Sequence, residues 1–308
     1  MKNIICILFT GLMFNNGFSQ NDISNNIEII KKNIYKDYKG MFKEPKGALK
    51  YPFVTPGSDQ YSEELWDWDS WFTDIALRQI VTNNPESKID ITRYEQGCVL
   101  NFLSYGGMNG WIPVLIEPAN ESREQMLNDR NVFERNMHKP VLAQHAAFIV
   151  QQNNGNAEWL RENFYYLQAF ENAYLNYYRH KPTGLLYWQN DGGIGVDNDP
   201  CTFYRPDASS GSILLNCFMY KELLATAYIA RCLNQAEIAT IYEKEADDLK
   251  AAIRKNCWDP KDGFYYSVDF NLTEIKKPTG AWQLHNGGPR KWDCLIQRIG
   301  VWSGFCAM

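Results

Sequence analysis

Residues 235–256, QAEIATIYEKEADDLKAAIRKN, place apolar side chains at Ile238, Tyr242, Ala246, Leu249 and Ile253 with charged residues between them. Steps of three and four trace one face of an α-helix, so the stretch predicts an amphipathic helix with a buried stripe. Residues 211–233 just before it predict a second helix, and the short link makes the two a hairpin. Working outward, the same reading gives helices near 64–83, 87–105, 138–153 and 156–180, and one from a Ser24 cap through Tyr38. Only Phe264-Tyr265-Tyr266-Ser267-Val268 reads as a strand. Helices in successive pairs suit an α-solenoid or a closed ring of hairpins. No repeat of fixed period is visible, which favours the ring. The expected fold is therefore all-α.

Three regions interrupt the helices. Residues 39–60 hold Pro45, Pro52, Pro56 and several glycines, an irregular entry segment. The loops 106–137 and 181–210 are long, and long loops in a compact helical domain usually carry function. At the N-terminus, Lys2 precedes the apolar run Ile4 to Met13, with Gly17 and Ser19 at cleavage spacing. This predicts a signal peptide over residues 1–20 and an exported protein, periplasmic or extracellular. Residues 21–60 then form the entry segment and 61–308 the main domain. No membrane association is expected once the leader is removed.

The 308 residues carry a net charge of −5 with scattered lysines, which gives no basic face for a nucleic-acid backbone. Outside the leader, Cys98, Cys201, Cys217, Cys232, Cys257, Cys294 and Cys306 form no CxxC pair, and most lie where buried thiols are expected. Aromatic residues make up 14%, including ten Trp and eighteen Tyr, many beside Asp, Asn and Gly rather than in helical stripes. Indole and phenol rings pack on the C–H faces of pyranoses while carboxylates and amides bind the hydroxyls, so the pattern suits a sugar site. An aromatic-rich core is the alternative.

Two constellations carry candidate chemistry. The first is Glu63-Glu64-Leu65-Trp66-Asp67-Trp68-Asp69-Ser70-Trp71-Phe72, at the start of a helix. Trp68 and Phe72 share a helix face and Asp69 points elsewhere, so the segment can wall a pocket and offer it a carboxylate. The simpler reading is that Asp67 and Asp69 favour the helix N-terminus electrostatically. The second is Trp188-Gln189-Asn190-Asp191-Gly192-Gly193-Ile194-Gly195-Val196-Asp197-Asn198-Asp199-Pro200, followed by Tyr204-Arg205-Pro206. Its glycines let backbone approach a ligand and its acids could include a catalytic one. A solvated turn or a calcium loop is the alternative, although the spacing does not match an EF-hand. No cofactor is implied.

The run LWDWDSWF resembles the WDxxF-type segment of glycoside hydrolase family 63 and its mannosylglycerate-hydrolase-like relatives, and GVDNDP resembles their G(M/V/W)DN-P loop. Gly110-Trp111-Ile112-Pro113, Lys139-Pro140-Val141-Leu142-Ala143-Gln144 and Cys257-Trp258-Asp259 with Gly263-Phe264-Tyr265 are weaker agreements. Trehalases of family 37 carry related segments. The resemblance, over roughly residues 60 to 305, implies an (α/α)6 toroid and an exo-acting, inverting α-glycosidase for α-glucosides or α-mannosides. It implies Asp197 as general acid and Asp69 as the acid that binds the terminal sugar, with Trp68 beside it. Trp66, Trp71, Phe72 and Trp111 are expected as aromatic walls, and Gln144, Asn198 and Arg205 as polar contacts. No metal is expected, and His138 and His285 are expected to be structural.

In the family the general base is a downstream Glu, expected here beyond residue 308. A six-hairpin ring takes roughly 350 to 450 residues, so this chain is expected to hold about four hairpins of it. Trehalase, a sugar-binding protein that has lost hydrolysis, and an α-solenoid interaction protein are the competing functions.

Overall fold

The structure, a computed structural model, describes residues 20–57, 59–119, 132–196, 199, 201–203, 205–270 and 297–299. The chain divides into two compact units, residues 1–40 and 41–308. In the first, helix α1 (Gln20–Asp37) leaves Ile23, Ile27, Ile30 and Ile34 exposed along one stripe. The signal-peptide segment lies outside the described residues apart from Gln20.

The second unit is built from helices α2 (Asp67–Thr82), α3 (Ile91–Ser104), α4 (Leu142–Gln152), α5 (Phe164–Tyr177), a single turn α6 (Asp191–Ile194), α7 (Ile213–Cys232) and α8 (Ala236–Cys257). The amphipathic reading of α8 holds, because Tyr242, Ala246, Leu249 and Ile253 are all buried. They face α7, the helix α8 packs against most extensively, and α2 and α3 are likewise packed together. Adjacent pairs meet where α4 lies between α3 and α7. The core there is Val99, Phe102, Leu142, Ile149, Phe170, Leu215 and Met219, all at or near zero exposure. Among the described helices α7 alone is long and apolar enough to cross a membrane, yet most of it is buried in this core.

Short two- and three-residue strands stitch the loops to the helices. They are β1 (Phe42–Lys43) with β2 (Phe53–Val54), β3 (Leu65–Trp66) with β4 (Leu115–Ile116), β6 (Trp258–Asp259) with β7 (Phe264–Tyr265), and β5 (Ser210–Gly211) with β8 (Ser267–Asp269) and β9 (Gln297–Ile299). All pairings are antiparallel. The expected strand at 264–268 is thus two strands flanking Tyr266. The irregular entry segment is anchored where Gly97 of α3 meets it, since a Cβ there would stand 1.8 Å from Pro52 O.

Several helices begin later than their apolar pattern suggests. The first, expected from residue 64, starts at Asp67 because Leu65 and Trp66 pair with Ile116 and Leu115 instead. The one expected from 138 starts at Leu142, since the amide N–H of His138 donates to Ile112 O at 2.8 Å and that of Lys139 to Asp67 Oδ2 at 3.0 Å. The stretch expected as one helix over 156–180 is a 3-10 turn at Glu158–Leu160 followed by α5. The five described cysteines, Cys98, Cys201, Cys217, Cys232 and Cys257, are thiols rather than disulfides.

Candidate active site

The β3–β4 pair turns the chain into α2 so that the first helical residues arrive beside the backbone of 114–116. The Asp67 N–H donates to Val114 O at 3.0 Å, which spends one of the otherwise orphaned N-terminal amides of α2. The acidic first turn suits the positive end of the helix dipole. The Asp67 carboxylate has a second use. It is buried and accepts from Lys139 twice over, from the backbone N–H and from Nζ at 3.1 and 3.0 Å. The Lys139 ammonium also stands 4.7 Å from the centroid of the Trp68 ring, a cation–π contact.

A pocket of about 320 Å³ opens above this pair. Its walls are Tyr61, Trp66, Trp68, Asp69, Lys139 and the glycines Gly192 and Gly195, with Pro56 and Val114 completing it. Tyr61 meets the Trp66 ring edge-on at 5.5 Å, and the Trp66 indole N–H donates to Glu64 Oε2 at 2.7 Å, which fixes both rings. Burial, and then the nearby Asp67 carboxylate, push the Asp69 carboxyl above the usual aspartate value, while Lys139 opposes the shift.

The roof comes from the glycine-rich loop. The Asn190 side chain caps α6 by accepting from Gly192 N–H at 3.1 Å, and is itself held by Asn136 Nδ2 at 2.9 Å. Gly195 ends the turn at φ 70°, where a Cβ would stand 2.6 Å from Lys139 Cε and 3.0 Å from Trp68 Cζ2. Only glycine fits both the conformation and the space. Farther along, Asp199 is buried, its Oδ1 accepts Cys201 N–H at 2.7 Å, and burial followed by Asp191 raises its carboxyl.

The segment bearing Lys139 is held from below by α4, whose N-cap residue, Val141, offers no side-chain cap. Glu222 of α7 supplies one instead, accepting Ala143 N–H at 2.6 Å and Gln144 N–H at 3.0 Å. Glu222 and Glu171 are both fully buried, with Thr226 donating to Glu171 at 3.1 Å. Burial raises both carboxyls, Glu222 to about 8. A second buried set joins α2, α3 and α4 through Asp74–His145 at 2.6 Å and the Arg78–Glu95 pair.

Of the residues expected at the site, the structure brings Trp66, Trp68 and Asp69 to the pocket. Trp71 and Phe72 stack on each other at 5.1 Å beside it, with Phe72 48% exposed, and neither lines it. Trp111 is buried in the core away from the lining. Gln144 directs its amide to Pro140 O at 2.9 Å and Phe218 O at 3.1 Å, a tie between α4 and α7. Arg205 pairs with buried Asp269 at 2.8 Å and donates to Ser210 Oγ at 2.7 Å, fastening its loop to β5 and β8. Asp197 and Asn198 lie outside the described residues, as does His285. His138 is buried, with Nδ1 2.6 Å from Lys139 O. Among the described residues no three His, Cys, Asp or Glu gather as metal ligands would.

Tyr61, Lys139 and Gly195 were not foreseen as site residues. The glycine spacing was a usable signal for Gly195. Nothing local marks Lys139 as the partner of an Asp 72 positions earlier.

Comparison with known proteins bears on this geometry. The profile of the mannosylglycerate hydrolase MGH1-like glycoside hydrolase domain matches residues 62–287. A search of curated protein sequences returned no match. Among solved structures, the fold is similar to the GH63 mannosylglycerate hydrolase from Thermus thermophilus in complex with glucose, at 17% identity and a TM-score of 0.53. The match covers 76% of this chain and 66% of that one, so this chain spans about two thirds of the length of that enzyme. Neutral trehalase Nth1 from Saccharomyces cerevisiae is also similar, at 16% identity and a TM-score of 0.50, over 75% of this chain and 50% of that one. The fold is accordingly that of the (α/α)6 glycosidases, with the described helical pairs as part of the ring. The profile match extends over most of the chain and takes in both the α2 start and the glycine-rich loop, and by it the chain belongs to the mannosylglycerate hydrolase MGH1-like glycoside hydrolase family.

Proposed function

We propose that this chain carries the sugar-binding and proton-donating part of an exported, inverting α-glycosidase that removes a terminal α-linked glucose or mannose from an oligosaccharide or glycoside. The observation that carries the reading is the pocket of about 320 Å³ where Trp66, Trp68 and Asp69 meet Gly192 and Gly195. Its size lies near the lower end of small-ligand sites, which run from about 300 Å³. One pyranose ring fits that volume, with its C–H face on an indole and its hydroxyls donating to the Asp69 carboxylate.

In this reading Asp197, two residues past Gly195, gives its proton to the leaving oxygen while a second carboxylate activates water on the opposite face of the sugar. Asp191 and Asp199 flank it in sequence, and neighbouring carboxylates keep an acid protonated near neutral pH. Asp199 itself already has a raised carboxyl. Export is proposed from the apolar run at residues 4–13.

The test is sugar release from α-linked disaccharides, trehalose included, and from nitrophenyl α-glucoside and α-mannoside, with the anomer of fresh product read by NMR. A β-anomer first product that disappears in Asp197→Asn supports the reading. An α-anomer sinks inversion. A folded chain that binds these sugars and cleaves none keeps the sugar-binding half of the reading and leaves the proton-donating role of Asp197 without support.

A further inference from the structure

We propose that Glu222 and Phe218, one turn apart on α7 and outside the pocket, are positioning residues for it: Glu222 sets the segment that carries Lys139, and Phe218 sets the Trp68 ring. The inference rests on the sugar-pocket reading above for what the pocket holds, and on geometry alone for how its floor and wall are held.

The floor hangs on the start of α4. Lys139 lies three residues before that helix, and its carbonyl accepts the Val141 N–H at 2.7 Å, while the Val141 carbonyl accepts the His145 N–H at 2.9 Å. Where the first turn of α4 sits, Lys139 follows. That turn has no side-chain cap of its own, although the first amides of any helix need acceptors from outside it. Glu222, fully buried, meets two of them with one oxygen each, Ala143 N–H at 2.6 Å and Gln144 N–H at 3.0 Å. The Gln144 amide then ties Pro140 O, next to Lys139, to Phe218 O on α7 at 2.9 and 3.1 Å.

The wall is held from the same side, because residues four apart share a helix face. The Phe218 ring meets Trp68 edge to face, with 6.2 Å between centroids and 78° between planes. This is the arrangement an aromatic pair prefers. The Lys139 ammonium stands 4.7 Å from the same indole, so the α4 segment and α7 fix the ring together. Neither Phe218 nor Glu222 lines the pocket, and both act on a ligand only through residues that do.

The experiment uses the full chain at pH 7, well below its unfolding transition. Methyl α-glucoside and methyl α-mannoside are titrated calorimetrically, near-UV circular dichroism reads the Trp68 environment, and amide hydrogen exchange by NMR reads residues 141–146. Phe218→Leu, which keeps an apolar side chain without a ring, should weaken sugar binding about fivefold and alter the dichroism, and in a Trp68→Ala background it should do neither. Glu222→Ala should weaken binding and speed exchange at Ala143 and Gln144 by about fivefold or more, and Glu222→Gln, which keeps one acceptor oxygen, should fall between. Where Glu222→Ala fails to fold, Glu222→Gln carries that arm. Leu249→Ala, buried on α8 against α7, is the control, with a lower melting temperature and unchanged affinity and dichroism. The proposal is overturned if Phe218→Leu acts equally with and without Trp68, or if the Glu222 variants lose only melting temperature, as the control does. If the folded parent binds neither sugar, the sugar-pocket reading falls, while the dichroism and exchange still decide whether α7 positions the floor and wall.

Discussion

Replacing Gly195 with alanine tests whether the roof of the pocket is as tightly fitted as its geometry implies. The φ of 70° alone costs a residue with a side chain about 1–2 kcal/mol. The added methyl would also sit 2.6 Å from Lys139 Cε and 3.0 Å from both Lys139 Nζ and Trp68 Cζ2. Lysine tips elsewhere swing aside cheaply, but this one is tied to Asp67. Overpacking at such a place adds roughly 1–3 kcal/mol. Gly155 provides the control, with φ 80° and nothing within 4 Å of where a methyl would stand. In urea unfolding at pH 7, Gly155→Ala should lower stability by the backbone cost only, and Gly195→Ala by that cost plus about 1–3 kcal/mol. Equal losses would show that Lys139 yields freely, and the account of a rigid Asp67–Lys139–Trp68 floor would be wrong.

Stability should fall toward alkaline pH. Glu222 is raised from 4.5 to about 8, chiefly by burial, so its contribution is complete below 4.5 and lost as pH rises through about 8, and Glu171, also raised by burial, acts in the same direction. Melting temperatures at pH 5 and 9 measure this, and Glu222→Gln should flatten the slope. The acid side is governed in the opposite sense by His138, lowered by burial from 6.5 to about 4. Its contribution, about 3 kcal/mol, is present above 6.5 and lost as pH falls through about 4, and His138→Phe should remove that limb of the profile. Trp68→Ala should weaken sugar binding by about tenfold or more, at about 1.4 kcal/mol per factor of ten, whereas Phe72→Ala, beside the pocket but not in it, should change affinity by less than about twofold.

Helix faces were the most legible part of the fold, because a stripe such as that of α8 is a local signal that tertiary packing only reinforces. Helix starts were less so. Leu65 and Trp66 fit a helical pattern and end up in a strand because Leu115 and Ile116, about fifty residues away in sequence, offer backbone partners. At the site, crowding of Trp and Asp pointed to Trp66, Trp68 and Asp69 because polar and aromatic residues are seldom juxtaposed by core packing alone. Trp111 and Gln144, expected from the family resemblance, and Arg205, expected from the loop constellation, make their contacts inside the protein. Composition tells which residues can bind sugar, and only the register of the chain decides which ones face the cavity.

The Glu222 cap on α4 bears on the order in which the chain can be completed. The carboxyl group that closes the first turn of α4 comes from 79 positions downstream. An isolated helix start is costly to nucleate, and here the chain offers no local side chain to ease it. Without α7 the first turn of α4 lacks the acceptor that meets its Ala143 and Gln144 amides. The pocket floor that Lys139 completes thus depends on a helix that does not line the pocket, so sugar binding reports on a finished core.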